Sequence, residues 1–304
     1  MMKKSSKANQ SKLKILVVGG AGFLGSYIVE ELLPFFNISI LEKAGANPVR
    51  ISKFNNKITV YYTAGLDLHE FLHKNQFGII INCSVLYGFK EPLSELIENN
   101  IVFPLKLIES SAVNTRAFIN TDTFFNKPEN HNYSYLHNYL ITKKQLEENL
   151  KALDTRIKII NLKLEHLYGP GDNKAKFIPS MLERIRNNEK EIALTPGGQV
   201  RDFIYVKDAA KAYRIILRNL DKINSGFSNI SLGTGTETRL RDLVILMKSL
   251  ALSSSELKFG QLPYRENEIM YSKGDPNFLQ NLGWNFNFNL EDGLKEIFQY
   301  SRVT

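Results

Sequence analysis

The sequence predicts an α/β protein built on a doubly wound parallel sheet, with a smaller α/β lobe interleaved with it toward the C-terminus. Two observations lead to this prediction. Residues 14–18 are one lysine followed by a continuous run of strand-forming apolar residues, and such a run is typical of a buried parallel strand. Further along the chain, strand patterns alternate with helical patterns as far as residue 164, which favours successive βαβ units.

The glycines that follow the first strand have the spacing of a dinucleotide-binding turn. Gly19 permits the sharp turn, Gly22 lets the backbone approach a pyrophosphate, and Gly25 lets the next helix pack close to the strand. That helix carries Phe23 and Leu24 near its start, where free N–H groups and the positive end of the dipole can meet phosphates. The sequence therefore predicts a Rossmann-type sheet that binds a dinucleotide; an ordinary glycine-rich turn is the alternative.

The second strand pattern, 38–42, ends in an acid that bears on the choice of cofactor. Glu42 lies close to the position, about 20 residues after the glycines, where a carboxylate holds the adenosine ribose hydroxyls. A carboxylate there repels a 2′-phosphate and so favours NAD over NADP. The cations Lys43 and Arg50 weaken that preference, so NADP stays open, and a solvated acid at the strand end is the alternative role for Glu42.

Two further strand patterns contribute candidate cofactor contacts. After strand 58–62, Asp67 and Leu68 begin a helical stretch, and an aspartate there can serve the adenine amino group, the N-cap, or both. Strand 78–84 ends at Cys83 and Ser84, beside the expected centre of the cofactor. Helices are predicted over 92–99 and 104–111, with Asn100 between them.

The candidate catalytic residues lie after the fifth strand pattern, 116–123. Polar strand ends at the carboxyl edge of a parallel sheet are where α/β enzymes place their chemistry, and this strand ends in Thr121, Asp122 and Thr123. Tyr139 and Lys143 then share one helix face at i and i+4. A lysine beside a phenol lowers the pKa of the tyrosine and makes it an acid or base near neutral pH. A surface pair is the alternative.

The second half of the chain supplies candidate substrate contacts. After strand 156–164, His166 lies in a turn-rich crossing, where it contacts substrate or serves the structure. Arg201 suits a bidentate diphosphate contact or an ion pair with Asp202. Arg265 and Glu268 follow in irregular segments, after a glycine-rich loop predicted over 231–238. Helices are predicted over 177–186, 208–220, 240–251 and 290–300.

Composition narrows the class of protein. The 304 residues carry a net charge of +8, but the lysines and arginines are dispersed, which argues against nucleic acid as a partner. No apolar run approaches the roughly 20 residues of a membrane span, and one cysteine points to a reducing, cytoplasmic compartment. No metal site is predicted. We predict a disordered basic tail over 1–13, a cofactor-binding part over 14–165 with returns near 199–230, and mainly a substrate lobe over 166–304.

The motifs together resemble the extended short-chain dehydrogenases/reductases, the NAD(P)-dependent epimerases, dehydratases and reductases of nucleotide sugars. The resemblance rests on the glycine turn, the strand-end threonine, Tyr139-x-x-x-Lys143, and the stretches 168–171 and 201–206, and it covers residues 14 to about 290. It implies a nucleoside-diphosphate sugar as substrate. In this family, helices beside the tyrosine often pair subunits, so a homodimer is expected.

The resemblance also implies roles for individual residues. Tyr139 would exchange a proton with the sugar oxygen, and Lys143 would hold the nicotinamide ribose and lower the tyrosine pKa. The family hydroxyl falls on Thr121, with Thr123 as a competing position. Asn100 would steady the catalytic loop. Two arginines would grip the diphosphate, and these are Arg201 and Arg265.

One departure from the family pattern bears on the reaction. Family dehydratases carry an Asp-Glu pair after the catalytic threonine, whereas here Thr123 stands where the glutamate would be. The sequence therefore argues against a 4,6-dehydratase. It more closely resembles the 4-ketoreductases of deoxysugar biosynthesis, of the CDP-abequose and CDP-paratose synthase type. A nucleotide-sugar C4 epimerase and a non-catalytic NAD(P)-binding protein on the same fold are the alternatives.

Overall fold

The computed structural model describes residues 12–127, 133 and 135–300, and the central feature of this part of the chain is a seven-stranded parallel sheet. Its strands are β1 Lys14–Val18, β2 Asn37–Glu42, β3 Thr59–Tyr62, β4 Ile79–Asn82, β5 Ala117–Thr123, β6 Lys158–Leu164 and β11 Phe227–Leu232. They lie in the order β11-β6-β5-β4-β1-β2-β3. The order reverses beside β1, which opens a crevice at the carboxyl edge.

Three small two-stranded sheets lie in the second half of the chain, and their strands pair β7 with β10, β9 with β12 and β8 with β13. The strands are β7 His166–Tyr168, β8 Glu191–Leu194, β9 Val200–Arg201, β10 Phe203–Tyr205, β12 Thr238–Arg239 and β13 Glu256–Phe259. The predicted α/β class with a parallel sheet and a smaller lobe is confirmed. The predicted boundary at residue 165 stays a prediction.

The α-helices cover the central sheet on both faces and complete the smaller lobe. They are α1 Phe23–Leu32, α2 Leu68–Asn75, α3 Leu93–Ile97, α4 Phe103–Glu109, α5 His137–Ala152, α6 Phe177–Arg186, α7 Val206–Arg218, α8 Leu240–Ala251, α9 Asn277–Asn281 and α10 Leu290–Tyr300. Within residues 12–127, 133 and 135–300, no helix is long and apolar enough to cross a bilayer.

Apolar burial explains why these helices lie where they do. Alternate residues of the parallel strands face opposite sides, so Ile119 packs toward the α1 and α7 side, whereas Phe118 packs with Leu146 and Leu150 of α5. A third cluster joins α6, α8 and α10 in the smaller lobe. Strand β5 is therefore packed on both faces, which fixes the position of its carboxyl end.

Two predicted regions differ from the structure, and most of a third lies outside the described residues. The loop predicted over 231–238 begins in a strand, because β11 extends to Leu232; its alternating polar residues suit a sheet edge with one half-exposed face. The predicted helices 92–99 and 104–111 are joined through a π-helical turn at Glu98–Val102 that contains Asn100. Residues 1–11 of the predicted tail lie outside the described residues.

Candidate active site

A cavity of about 1370 Å³ opens at the carboxyl edge of the central sheet and continues into the smaller lobe. Most of the side chains singled out in the sequence line it. They are Gly19, Gly22, Phe23, Leu24, Gly25, Glu42, Lys43, Cys83, Ser84, Thr121, Asp122, Thr123, Tyr139, Lys143, His166, Arg201, Arg265 and Glu268. One continuous site therefore spans the glycine turn, the end of β5 and the arginines of the smaller lobe.

Three predicted cofactor contacts do not line the cavity. Asp67 caps α2, where its carboxylate accepts a hydrogen bond from the Glu70 N–H at 2.9 Å, and Leu68 lies beside it. Asn100 is buried and binds the loop after β4 through the Leu86 backbone N–H and C=O, at 2.9 and 2.8 Å. Asn100 thus steadies that loop, as the resemblance implied. It does not lie where it would contact a cofactor directly.

The glycine turn has the shape that a pyrophosphate requires. Gly19 has a φ of +75°, which favours glycine. A Cβ atom on Gly25 would lie 2.2 Å from the Gly19 carbonyl oxygen, so only glycine lets α1 begin this close to β1. The helix begins after Gly22 with no side-chain cap, which leaves its first N–H groups facing the cavity. The residues present therefore fit a dinucleotide phosphate.

Gly25→Ala is expected to destabilise the protein and to abolish tight binding of the cofactor. The added methyl group forces α1 away from β1, and overpacking of this kind costs about 1–3 kcal/mol in free energy of unfolding. Thermal unfolding and a fluorescence titration with NADH measure both effects. Glu30→Ala, an exposed change on the same helix, is the control and should alter stability by about 0.5 kcal/mol or less; equal behaviour of the two variants would contradict this account.

Glu42 turns back onto the glycine turn. Its carboxylate accepts a hydrogen bond from the Ala21 N–H at 2.5 Å, and the side chain is buried. Burial raises the pKa of Glu42, and the Ala21 N–H opposes that rise. Lys43 and Arg50 line the same end of the cavity. One acid, Glu42, and two basic residues, Lys43 and Arg50, therefore lie where their charges would act on a substituent at the ribose 2′ position.

The two candidate threonines on β5 make different contacts. The Thr121 hydroxyl lies 2.7 Å from the Tyr213 hydroxyl of α7 and 3.4 Å from the Cys83 sulfur. Thr123 makes a side-chain hydrogen bond with Tyr139 and accepts one from the Phe125 N–H at 3.3 Å. Thr121 is therefore engaged with α7, whereas Thr123 is the hydroxyl that meets the tyrosine.

Tyr139 lies deep in the cavity wall and is 5% exposed. Burial raises its pKa well above the usual range, the neighbouring Tyr87 and Asp122 raise it further, and only the hydrogen bond to Thr123 lowers it. Desolvation of the phenolate is the largest effect on this tyrosine, and the expectation that Lys143 lowers its pKa stays a prediction. In this environment Tyr139 is a phenol, the form that donates a proton.

Lys143 lies one turn after Tyr139 on α5, with its Nζ atom 5.9 Å from the tyrosine ring centre. It donates to the Thr121 backbone carbonyl at 2.7 Å. Burial lowers the pKa of Lys143, while electrostatic interaction with Asp122, and in second place with Cys83, opposes that change. Burial also raises the pKa of the Cys83 thiol to about 12, so it stays protonated.

The Asp122 side chain points to the α5 face of the sheet, and it is 4% exposed. Its Oδ2 atom accepts hydrogen bonds from the amides of Asn126 and Asn161, at 3.0 and 2.8 Å. Its Oδ1 atom is buried and finds no partner among the described residues. Asp122 is thus beneath the reacting groups, held by neighbouring amides.

An aromatic wall beside Tyr139 was missed by the sequence reasoning. The rings of Tyr87 and Phe125 lie 5.1 and 6.5 Å from the Tyr139 ring, and Phe124 stacks on Phe125 at 4.0 Å. The paired phenylalanines directly after β5 were the available signal. This wall gives the site an apolar face next to Tyr139.

His166 continues that wall. Its ring lies 3.9 Å from the Phe124 ring and 5.5 Å from the Phe203 ring. The Nδ1 atom is buried and has no partner within the described part of the chain. Burial, with the charge of Arg201 next in effect, lowers the pKa of His166 well below its usual value, so the imidazole is neutral.

Several charged side chains of the smaller lobe line the cavity. Arg201 pairs with Glu268 at 2.9 Å, and both are nearly buried. The sequence alternative, an ion pair between Arg201 and Asp202, is wrong, because Asp202 accepts from Thr234 and neighbouring backbone N–H groups. Arg265 stacks on the Tyr135 ring at 3.9 Å. Lys176, which the sequence reasoning missed, pairs with Asp172 at 2.9 Å.

Known proteins share both the sequence pattern and this architecture. Residues 15–231 match the NAD dependent epimerase/dehydratase family. The chain is 32% identical over 291 residues to the CDP-abequose synthase of Salmonella muenchen, covering 93% of this chain and 96% of the relative. It is 26% identical over 319 residues to a putative UDP-glucose 4-epimerase of Methanocaldococcus jannaschii, covering 95% and 98%.

A solved structure of similar fold is the UDP-N-acetylglucosamine 4-epimerase from Methanobrevibacter ruminantium M1 in complex with UDP-N-acetylmuramic acid. It superposes with a TM-score of 0.81 at 22% identity, covering 97% of this chain and 99% of that one. With the family match, which spans more than half of the chain, these similarities confirm the predicted enzyme class. The chain belongs to the NAD-dependent epimerase/dehydratase family and is an NAD(P)-dependent nucleotide-sugar enzyme.

Proposed function

We propose that the protein reduces the 4-keto group of a nucleoside-diphosphate 4-keto-6-deoxy sugar, with Tyr139 as the proton donor. The observation that carries this proposal is the environment of Tyr139, a buried phenol with a raised pKa that is hydrogen-bonded to Thr123 at the cavity wall. Reduction requires the protonated tyrosine at the start, whereas oxidation of a sugar alcohol requires its phenolate. The environment favours the first of these.

The hydride and the proton that the proposed reduction requires each have a source in the site. When bound, the reduced nicotinamide supplies a hydride to the carbonyl carbon of the sugar. Tyr139 gives its proton to the carbonyl oxygen as the C=O double bond becomes a C–O single bond, and the phenolate left behind takes a proton from solvent. Thr123 orients the phenol through its hydrogen bond. Lys143, anchored on the Thr121 carbonyl, places a positive charge beside the phenolate as it forms.

The side chains around Tyr139 support a deoxygenated sugar. The wall formed by Tyr87, Phe124 and Phe125 offers apolar contact and few hydrogen-bond partners. A methyl group at C6 is buried there at little cost, whereas a hydroxyl would lose its hydrogen bonds to water. Loss of water from a sugar has weaker support, because Thr123 stands where family dehydratases carry a glutamate, and the Asp122 carboxylate is hydrogen-bonded to the amides of Asn126 and Asn161.

The far end of the cavity supports a diphosphate. Arg201 and Arg265 present guanidinium groups, which match phosphate oxygens bidentately. Lys176, at the start of α6, adds a point charge over the Phe23 ring, toward the glycine turn. Arg201 is balanced by Glu268 and Lys176 by Asp172, so each cation is held in place before a ligand arrives. These side chains are the candidates for the nucleoside-diphosphate part of the substrate.

The similarities to known proteins support two reactions. The 32% identity to a CDP-abequose synthase favours a 4-ketoreductase. The similarity to the putative UDP-glucose 4-epimerase favours the second candidate, in which bound NAD takes a hydride and returns it to the opposite face of the sugar. The predicted homodimer stays a prediction; it would cover the exposed apolar side chains Leu93, Ile97 and Ile141 of α3 and α5.

Transfer of deuterium distinguishes these two reactions. The protein is incubated with a nucleotide 4-keto-6-deoxyhexose and a reduced cofactor that carries deuterium at the transferable position. A ketoreductase places one deuterium at C4 of the product sugar for each cofactor oxidised, as mass spectrometry and NMR would detect. An unlabelled sugar, with the added cofactor intact and two epimers interconverted, would contradict the reductase and favour the epimerase.

Glu42 supports NAD as the preferred cofactor, and Glu42→Gln tests this. The amide keeps an acceptor for the Ala21 N–H but removes the charge that repels a 2′-phosphate, while Lys43 and Arg50 stay in place. We expect kcat/KM with NADPH relative to NADH to rise about 10-fold, or about 1.4 kcal/mol. Lys43→Gln is the matched control and should change the ratio in the opposite direction. An unchanged ratio for Glu42→Gln would contradict this role.

A further inference from the structure

Four asparagines form a row across the sheet, two residues before the level of Asp122 on β5. Asn82, Asn120, Asn161 and Asn229 are register partners on β4, β5, β6 and β11. Each amide donates to the carbonyl oxygen of the next, at 3.1, 2.8 and 2.8 Å. The first three are at most 1% exposed. A row of buried amides at this depth is costly unless every member is paired, and here they pair with one another.

Both ends of this asparagine row reach functional elements. At one end, the Asn82 oxygen accepts from the Ser84 N–H, which lies in the cavity lining, at 3.2 Å. At the other end, the Asn229 amide donates to Glu147 of α5 at 2.7 Å. In the middle, Asn161 also donates to Asp122 at 2.8 Å. The row therefore ties the end of β5 to the helix that carries Tyr139 and Lys143.

The groups around Asp122 are those that a carboxylate needs. The two hydrogen bonds to Oδ2 come from the amide N–H groups of Asn126 and Asn161, which only donate. Asn126 is itself fixed by a 2.6 Å hydrogen bond to Glu147. Burial raises the pKa of Asp122, while Lys143, these two amides and Lys163 oppose that rise. The two donors on Oδ2 favour the charged form of the side chain, whereas burial and the unpartnered Oδ1 atom favour the neutral form.

The charged and titratable groups near Asp122 come from several elements. From α5 these are Tyr139, Lys143 and Glu147, and from β6 Lys163, which pairs with Glu147 at 2.8 Å. The loop after β4 adds Tyr87 next to Tyr139, and Cys83 acts on Lys143. Burial keeps the Cys83 thiol protonated at neutral pH, and Lys163 neutralises Glu147. Asp122 is thus the anion that acts on the catalytic pair.

We propose that Asp122, fixed by the asparagine row, is a positioning residue that holds Tyr139 and Lys143 together in their protonated forms. A negative charge disfavours the phenolate and favours the ammonium, so it acts on both residues in the same direction. Each turnover in the reductive direction starts from this doubly protonated pair. The inference rests on the proposed reduction and gives Asp122 a role without proton transfer to substrate.

Asp122→Asn tests this role, since it removes the charge and keeps the size of the side chain. Without the anion, the pKa values of Tyr139 and Lys143 both fall, and the pair loses its first proton at a lower pH. We expect the alkaline limb of the kcat profile for reduction to move down by about one pH unit or more. Asp122→Ser has a smaller side chain that is also uncharged, and it should shift the alkaline limb in the same direction. It replaces Asp122→Asn in this test if the asparagine variant folds poorly.

A second measurement does not need turnover. The tyrosinate absorbance of each protein is followed during an alkaline titration, and the same titration of its Tyr139→Phe counterpart is subtracted, which leaves the signal of Tyr139. We expect this signal to appear at lower pH in Asp122→Asn than in the unaltered protein. If it does and no keto sugar is reduced, the proposed function fails while the role of Asp122 stands.

Glu147→Gln is the matched control. This substitution removes the negative charge of Glu147, which pairs with Lys163 and accepts a hydrogen bond from Asn126 in the same network. It leaves the Asp122 side chain unchanged. It should lower the thermal midpoint without moving the alkaline limb. If both variants lower stability and neither the limb nor the tyrosinate signal moves in Asp122→Asn, the network is purely structural and the inference is overturned.

Discussion

Tyr139→Phe is expected to lower kcat for sugar reduction by about 10²- to 10⁴-fold, the range that loss of a positioned proton donor produces. The hydroxyl meets Thr123 at the cavity wall, whereas the ring packs against Tyr87 and Phe125. Phenylalanine keeps the packing and removes the proton. The dissociation constant for NADH should change little, because the glycine turn and Glu42 are untouched.

Steady-state kinetics and an NADH fluorescence titration on the same preparation measure the two quantities. Tyr61→Phe is the control, since its hydroxyl bonds Asn75 at 3.0 Å, and it does not line the cavity. It should leave kcat within about twofold, as a change outside the site does. A Tyr139→Phe variant that retained full turnover would show that another group donates the proton. Loss of NADH binding in that variant would show that the ring, and not the hydroxyl, is what matters.

Thr123→Val should lower kcat by about 10- to 100-fold, because it removes the one hydrogen bond that lowers the pKa of Tyr139 and orients its hydroxyl. Thr121→Val should lower kcat less and act mainly on stability. It leaves the buried Tyr213 hydroxyl without its 2.7 Å partner, at a cost of about 1–3 kcal/mol in free energy of unfolding.

The pair of variants decides between two positions that the sequence leaves open. Both replacements preserve the β-branched shape of the side chain, so differences in kcat report on the hydroxyl alone. kcat and the thermal midpoint are measured for both proteins under one set of conditions. A larger loss of kcat in Thr121→Val than in Thr123→Val would reverse the assignment and return the family position to the catalytic role.

The features that could be predicted from the sequence are those set by neighbouring residues. The strand, glycine turn and first helix follow from local pattern, and the structure confirms them with Gly25 pressed against Gly19. The i and i+4 spacing likewise put Tyr139 and Lys143 on one face of α5. Residues at strand ends were brought together because parallel strands finish at one edge of the sheet.

The features that could not be predicted depend on contacts between distant parts of the chain. Arg201 is paired with Glu268 across 67 positions, and the neighbouring Asp202 serves a different loop. The pKa of Tyr139 depends first on burial, to which residues after β4 and β5 contribute. The asparagine row becomes visible only when the register of four strands is known.

Consumption of reduced cofactor tests the proposed function most directly. Purified protein is mixed with a nucleotide 4-keto-6-deoxyhexose and either NADH or NADPH, and absorbance at the nicotinamide band is followed. We predict that one cofactor is consumed for each sugar reduced, with NADH the faster of the two. No consumption, together with interconversion of two sugars by protein that already carries NAD, would contradict the reductase and leave the epimerase in its place.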